Sequence, residues 1–238
     1  MRVSGGAGKI NIASKVMILI MGTVAMLPRG GKAMFTVKTA DALVGGLSAP
    51  SKMPCPSFSI SAFMCQTGGR LSKLIGSVCS MCYARKGRYV FPNVQAALTR
   101  RMTVLARALA DPVFRVQFID AMTFLISRNP YFRWHDSGDL QSVEHFRLIC
   151  DIARATPNTT HWLPTKEPRY VKGDVPANLI VRVSAPHIDQ AAPNHAHTST
   201  VVSDKAKATC RAFENQGKCG SCRACWDVNV KNVAYYKH

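Results

Sequence analysis

The residues best equipped for chemistry in this chain are its nine cysteines, and their spacing is uneven. Cys210, Cys219, Cys222 and Cys225 include a Cys-x2-Cys-x2-Cys run. Two cysteines at that interval make half of a tetrahedral zinc site. A third at the same interval is how a loop wraps three corners of a cubane, with Cys210 available as the fourth. The expectation is a 4Fe-4S cluster, with zinc as the alternative metal and unliganded thiols as the remaining one. Arg211, Lys218 and Arg223 lie beside the run. Positive charge there favours an anionic thiolate cluster, although solubility alone also accounts for such bases.

A second group consists of Cys55, Cys65, Cys79 and Cys82. Only the pair Cys79-Ser80-Met81-Cys82 has ligand spacing. Cys55 and Cys65 lie well before it, so a loop must bring them in, and either is also compatible with an ordinary buried thiol. Cys150 falls on the apolar face of an expected helix and is assigned to the core. An odd number of cysteines at tight spacings argues against a disulfide framework and for ligands or catalysts in a reducing compartment.

Polar residues form a further set. His135, Asp136, Ser137 and Asp139 directly follow an expected strand, and Lys166 and His187 follow the next two. A His beside carboxylates can relay a proton, and an Asp-Ser-Gly-Asp turn can bind hydroxyl or amine groups, which makes His135, Asp136, Ser137, Asp139 and Lys166 the catalytic candidates. Tyr83, Arg133 and His187 are the cofactor-binding candidates. Arg133 and His135 are expected on one strand face and Trp134 on the other, packed as core. Capping by Asp139 or Ser142 and a local turn bond by Asp136 are the competing explanations. His195 and His197 read as loop residues.

The elements that must position these groups alternate. Phe35-Thr36-Val37 suggests a strand in an otherwise Gly-rich stretch, so residues 1–52 read as a wrapping segment and 53–238 as one α/β domain. Residues 53–88 have neither helical nor strand period and suit a loop organised by metal. Val94, Leu98, Met102, Leu105 and Leu109 recur at helical spacing. Asp111-Pro112 caps a second helix running to about Ser127, and Ser142 caps a third that ends at Pro157. Strands are expected at 131–135, 161–165, 179–185 and 198–203. Such alternation predicts a parallel sheet, either open or a partial (β/α) barrel, with cysteine-rich metal-binding loops near the N-terminal third and at the C-terminus. Reactive groups then belong at the carboxyl edge of the sheet.

Lys and Arg outnumber Asp and Glu by 31 to 13, a formal charge of +18. A surface of that charge makes nucleic acid a possible partner, though no helix-turn-helix, RNA-recognition or zinc-finger pattern is present. The apolar run from Val16 to Leu27 superficially suggests a signal sequence or membrane span, but it is shorter than the ~20 residues that a spanning helix needs and no small-residue cleavage pattern follows. It therefore reads as a buried strand or short helix, and the expected location is cytoplasmic with no membrane association. Oligomeric state is not readable.

Several joint motifs carry a resemblance: Cys82-Tyr83-Ala84, Gly87-Arg88-Tyr89, Phe91-Pro92-Asn93-Val94-Gln95, Phe132 through Leu140, and Trp162 through Glu167. From about Met53 to Trp226 the chain resembles the phage gene product 88-like proteins. That family is distantly similar to radical S-adenosylmethionine proteins, whose partial barrel carries a three-cysteine cluster and sometimes an auxiliary one. The resemblance implies a redox or radical-type iron-sulfur protein, with S-adenosylmethionine as a possible cofactor. The chain departs from that superfamily's Cys-x3-Cys-x2-Cys pattern, because Ile75 stands where the first cysteine belongs. If Cys65 or Cys55 replaces it and the other stays free, one iron stays open; if all four ligate, the site is closed. The alternatives are a basic nucleic-acid-binding regulator with structural or sensory clusters, or a zinc-binding structural module.

Overall fold

A computed structural model describes residues 35–237. The apolar run at 16–27 and most of the segment before 52 lie outside the described residues. Six strands form one sheet: β1 (Ser57–Phe58), β2 (Tyr131–Trp134), β3 (Thr160–Thr165), β4 (Leu179–Ile188), β5 (Thr198–Val202) and β6 (Asn232–Tyr236). All neighbouring pairs are parallel and the spatial order is the chain order, β1 through β6. An unbroken sequential order has no point at which the winding reverses, unlike a doubly wound sheet. The α/β class and the parallel sheet agree with the alternation in the sequence.

The helices lie before and between the first three strands: α1 (Val37–Val44), α2 (Gln66–Leu71), α3 (Pro92–Ala110), α4 (Pro112–Ile126) and α5 (Val143–Ala155). The stretch expected as a strand at 35–37 is instead the start of α1. Thr36 and Thr39 cap each other reciprocally, and Gly45 in the left-handed region (φ 81°) ends the helix. Asp111 accepts from the amides of Val113 and Phe114 at the head of α4, and Ser142 accepts from the His145 amide at the head of α5.

Alternation along the strands divides the sheet into two faces. Phe58, Phe132, Trp134, Leu163, Leu179 and Val181 join Phe118, Met122, Phe146 and Ile149 of the helices in the main core. The opposite face carries Trp162, which packs with Cys55 and Trp226 in a second, smaller core. The connection from β5 to β6, which contains the C-terminal cysteines, lies against that face: Trp226 Nε1 donates to the Phe132 carbonyl at 2.9 Å. Cys150 is 3% exposed within the main core. Arg101, inside α3, is buried because its guanidinium donates to Gly46 O (2.6 Å) and Ser59 O (3.1 Å), tying α3 to the turns before and after β1.

The aperiodic stretch 53–88 is not a single loop. It holds β1, α2 and a series of 3-10 turns at 62–64, 78–81, 83–85 and 87–90. A two-residue strand and single turns are too short to generate a period, which explains why they leave no pattern in the sequence.

Candidate functional site

The loop that follows β2 departs at His135, whose backbone is left-handed (φ 55°). For a residue with a Cβ this conformation is uncommon, and in native proteins it concentrates at functional sites. It breaks the alternation of β2, so Arg133 and His135 do not share a face as expected. Arg133 lies over the Trp162 ring at 4.4 Å, on the face opposite the helices. His135 packs edge-on against His145 of α5, with ring centroids 5.2 Å apart. Trp134 is core, as expected.

The departure also frees one side of β3. The β2–β3 pairing ends at Arg133 and Trp162, while β3 runs on to Thr165 beside β4. Pro164 falls in this part of β3, beyond its last β2 partner, where a missing N–H disrupts no β2–β3 bond. The exposed end of β3 receives the loop. Asp139 accepts from Thr165 Oγ1 (2.6 Å), from the Lys166 amide (2.8 Å) and from its neighbour Leu140 (2.8 Å). Burial nevertheless pushes the Asp139 carboxyl up to about 6, against the pull of those donors.

Around Asp139 the carboxyl edge gathers three cysteines. Cys65 begins α2, and its thiol is raised by burial, then by Asp139 and by the sulfurs of Cys82 and Cys79. Cys79 is raised by burial, with Lys166 opposing most and Cys82 and Asp139 reinforcing. Gly68, in α2, fits between the thiols: a Cβ there would stand 3.1 Å from Cys65 Cβ and 3.5 Å from Cys79 Sγ. Lys166 is pushed down by burial, opposed by Cys79, Asp139 and Cys82, and its ammonium donates to Ala185 O at 2.7 Å. His187, on β4, pairs by backbone with Ser77, two residues before Cys79. Cys65, Cys79, Cys82, Asp139 and Lys166 thus form one cluster, with His187 at its margin.

Cys55 is elsewhere. It packs with Trp162, Trp226 and Cys225, and burial pushes its thiol up to about 12, opposed by Arg133 and reinforced by Cys219. It joins the C-terminal group, where Cys219 lies near Cys210 and Cys222 and Cys225 Sγ is 3.2 Å from the Tyr235 hydroxyl. The two groups of four become a set of three and a set of five. All nine cysteines are free thiols. Among the described residues, no three His, Cys, Asp or Glu side chains converge closely enough to hold a single metal ion.

Two guanidiniums serve the five-cysteine set. Arg182 is fully buried and donates to the carbonyls of Ala224, Cys225, Asp227 and Val230 at 2.8–3.0 Å, which fixes the loop bearing Cys222 and Cys225. Arg133 donates to Met53 Sδ (2.8 Å) and Tyr83 Oη (3.4 Å). Neither has an ion-pair partner among the described residues. Buried charge without an ion pair is costly; Asp136 acts on Arg133 and Asp227 on Arg182, and the thiols of this set would add to them once ionised.

Asp136 has a different part. It accepts from Ser57 Oγ (2.8 Å) and Tyr89 Oη (2.7 Å), while its carbonyl accepts from Tyr83 Oη (2.5 Å). Both carboxylate oxygens are engaged, so Asp136 anchors the turns at 83–90 to the β2 loop. Ser137 is 3% exposed, and its hydroxyl has no hydrogen-bond partner; the same holds for both His135 ring nitrogens and for His145 Nε2.

A family model described as gene product 88 matches residues 28–228. This chain belongs to the gene product 88 family. The match spans both cysteine sets and the whole β2 loop, in agreement with the resemblance to phage proteins carried by the motifs. No curated protein and no solved structure matches the chain. Among the described residues no helix is long and apolar enough to cross a membrane.

Sequence reasoning missed Gly68, Thr165, Arg182 and His145. Arg182 had a signal, a charged residue inside the apolar run Leu179–Val183. His145 also had one, three residues after the Ser142 cap of an amphipathic helix. Nothing in the local sequence marks Gly68 or Thr165.

Proposed function

We propose that this gene product 88 protein binds iron-sulfur clusters at two unequal sites and acts in redox or radical chemistry at the first. The observation that carries this reading is the regrouping of the cysteines. Three thiols, Cys65, Cys79 and Cys82, lie around the carboxyl edge near Asp139 and Lys166, while five lie on the face opposite the helices. The donor chemistry fits: thiolates suit iron-sulfur clusters, and the unpaired Arg133 and Arg182 favour an anionic occupant of the five-thiol set.

Cys65, Cys79 and Cys82 would hold the first cluster, and four of Cys55, Cys210, Cys219, Cys222 and Cys225 the second. A cluster held by three cysteines supplies electron transfer together with an iron that can accept a ligand, for which S-adenosylmethionine is the proposed small molecule. The chain's own groups have definable tasks. The Lys166 ammonium offsets thiolate charge. Asp139, fixed by three donors and with its carboxyl near 6, takes or gives a proton close to neutral pH. Tyr83 and Arg133 lie between the two sites, joined by their hydrogen bond.

The test is iron, acid-labile sulfide and zinc per chain on protein purified without oxygen. About eight irons and eight sulfides are expected, roughly halved in Cys79→Ala and in Cys222→Ala. In the Cys222→Ala protein, S-adenosylmethionine should alter the electron paramagnetic resonance of the remaining reduced cluster. Zinc without sulfide would sink the reading and leave a structural zinc protein.

A further inference from the structure

We infer that the rim of the three-cysteine site is a binding surface for single-stranded nucleic acid, the substrate class presented to that site. The choice of substrate rests on the functional reading above; the binding itself does not. Between Asp41 and Asp111 the chain has no acidic residue and nine Lys or Arg. This acid-free segment includes all of the turns that carry Cys65, Cys79 and Cys82. Lys73, Lys86 and Arg88 are exposed, and no ion pair among the described residues involves any of them.

Charge is only half of the pattern. Phe63, Tyr83 and Phe91, from the same turns, are 50%, 48% and 53% exposed, where aromatic rings of this size are ordinarily covered. The turns form one surface, because the Arg85 guanidinium lies over the Phe63 ring at 4.9 Å and also donates to Ser72 Oγ at 3.0 Å. Tyr83 in turn meets Tyr89 at 5.6 Å between ring centroids. Exposed rings interleaved with unpaired cations are what a single strand needs: phosphates take the charge and bases stack on the rings. A duplex hides its base faces. A flat membrane surface offers phosphates but no bases to stack on the rings.

The experiment is fluorescence anisotropy of the full, anaerobically purified chain with labelled RNA and DNA single strands of about 16 nucleotides. The same-length duplex and phosphatidylserine vesicles serve as competitors at about 50 mM and 200 mM salt. Single strands should bind in preference to both competitors. Phe63→Ala and Phe91→Ala should each weaken binding about tenfold, and Lys73→Gln with Lys86→Gln should reduce the salt slope by about 1.4. Equal affinity for duplex, preference for vesicles, or indifference to both aromatic substitutions would overturn the proposal. Repeating the titration on Cys79→Ala protein separates the two readings. Strand binding that survives with no metal in any preparation leaves this surface standing while the cluster reading falls. A fully loaded protein that binds no strand does the reverse.

Discussion

His161 illustrates how a single side chain ties stability to pH. It is fully buried, its Nδ1 accepts from Trp134 Nε1 at 3.2 Å, and its Nε2 lies 2.8 Å from Thr156 Oγ1. With Nδ1 an acceptor, Nε2 carries the proton and the ring is neutral. A second proton would have to sit against the Trp134 N–H, and burial lowers His161 to about 4. The folded value lies below the unfolded one, so the unfolded chain binds the extra proton first. Stability is full above about pH 6.5 and falls as pH drops towards 4. Between pH 7 and pH 5 the wild type should lose about 2 kcal/mol more than His161→Gln, measured as urea unfolding free energy at each pH.

At the same scale, Gly138 has φ 89°, and a Cβ on it would collide with Ile60. Gly138→Ala should destabilise by about 2–4 kcal/mol and displace Asp139 with it, lowering metal loading at the three-cysteine site. Near-wild-type thermal unfolding of that variant would contradict the close packing of the β2 loop on the turn after β1.

Elements behave more simply where their signals are local. The caps of α4 and α5 were legible because each is a short-range hydrogen bond between a side chain and a nearby amide. Asp111→Ala should cost about 1 kcal/mol by denaturant unfolding and leave metal content unchanged, since α4 contributes core and no site residue. Helix α2 has the opposite balance. Its six residues include Gly68 and Gly69 and have little intrinsic helicity, so tertiary contacts hold it. One is the Thr67 amide, which donates to Glu167 Oε1 at 2.6 Å. Gly68→Ala adds a methyl between Cys65 and Cys79. It should lower iron at the three-cysteine site while circular dichroism and the five-cysteine site remain as in the wild type.

For the whole molecule, the division of thiols between the carboxyl edge of the sheet and the face opposite the helices makes their losses separable. Cys55→Ala is expected to perturb the C-terminal site and spare the other, although Cys55 is closer in sequence to Cys65. Metal analysis and alkylation of the loaded protein read this directly. If Cys55→Ala instead empties the site of Cys79 and Cys82, the three-and-five division is wrong.

By itself the sequence determined the α/β class, the helices from 92 to 155 and four of the six strands. All of these express themselves within a few residues, through periodicity or capping. Strands β1 and β6 and the partners of each cysteine were not legible. Cys55 and Cys65 are ten positions apart, and the chain between them passes through β1, so one thiol lies at the start of that strand and the other beyond its end. Only the pairing of β1 with β2, and the packing of the β5–β6 connection across the sheet, decide that Cys55 meets Cys225 and Trp226 rather than Cys79. Likewise, the left-handed turn at His135 sends two neighbouring polar residues to different surroundings, a consequence of loop packing that strand alternation cannot anticipate.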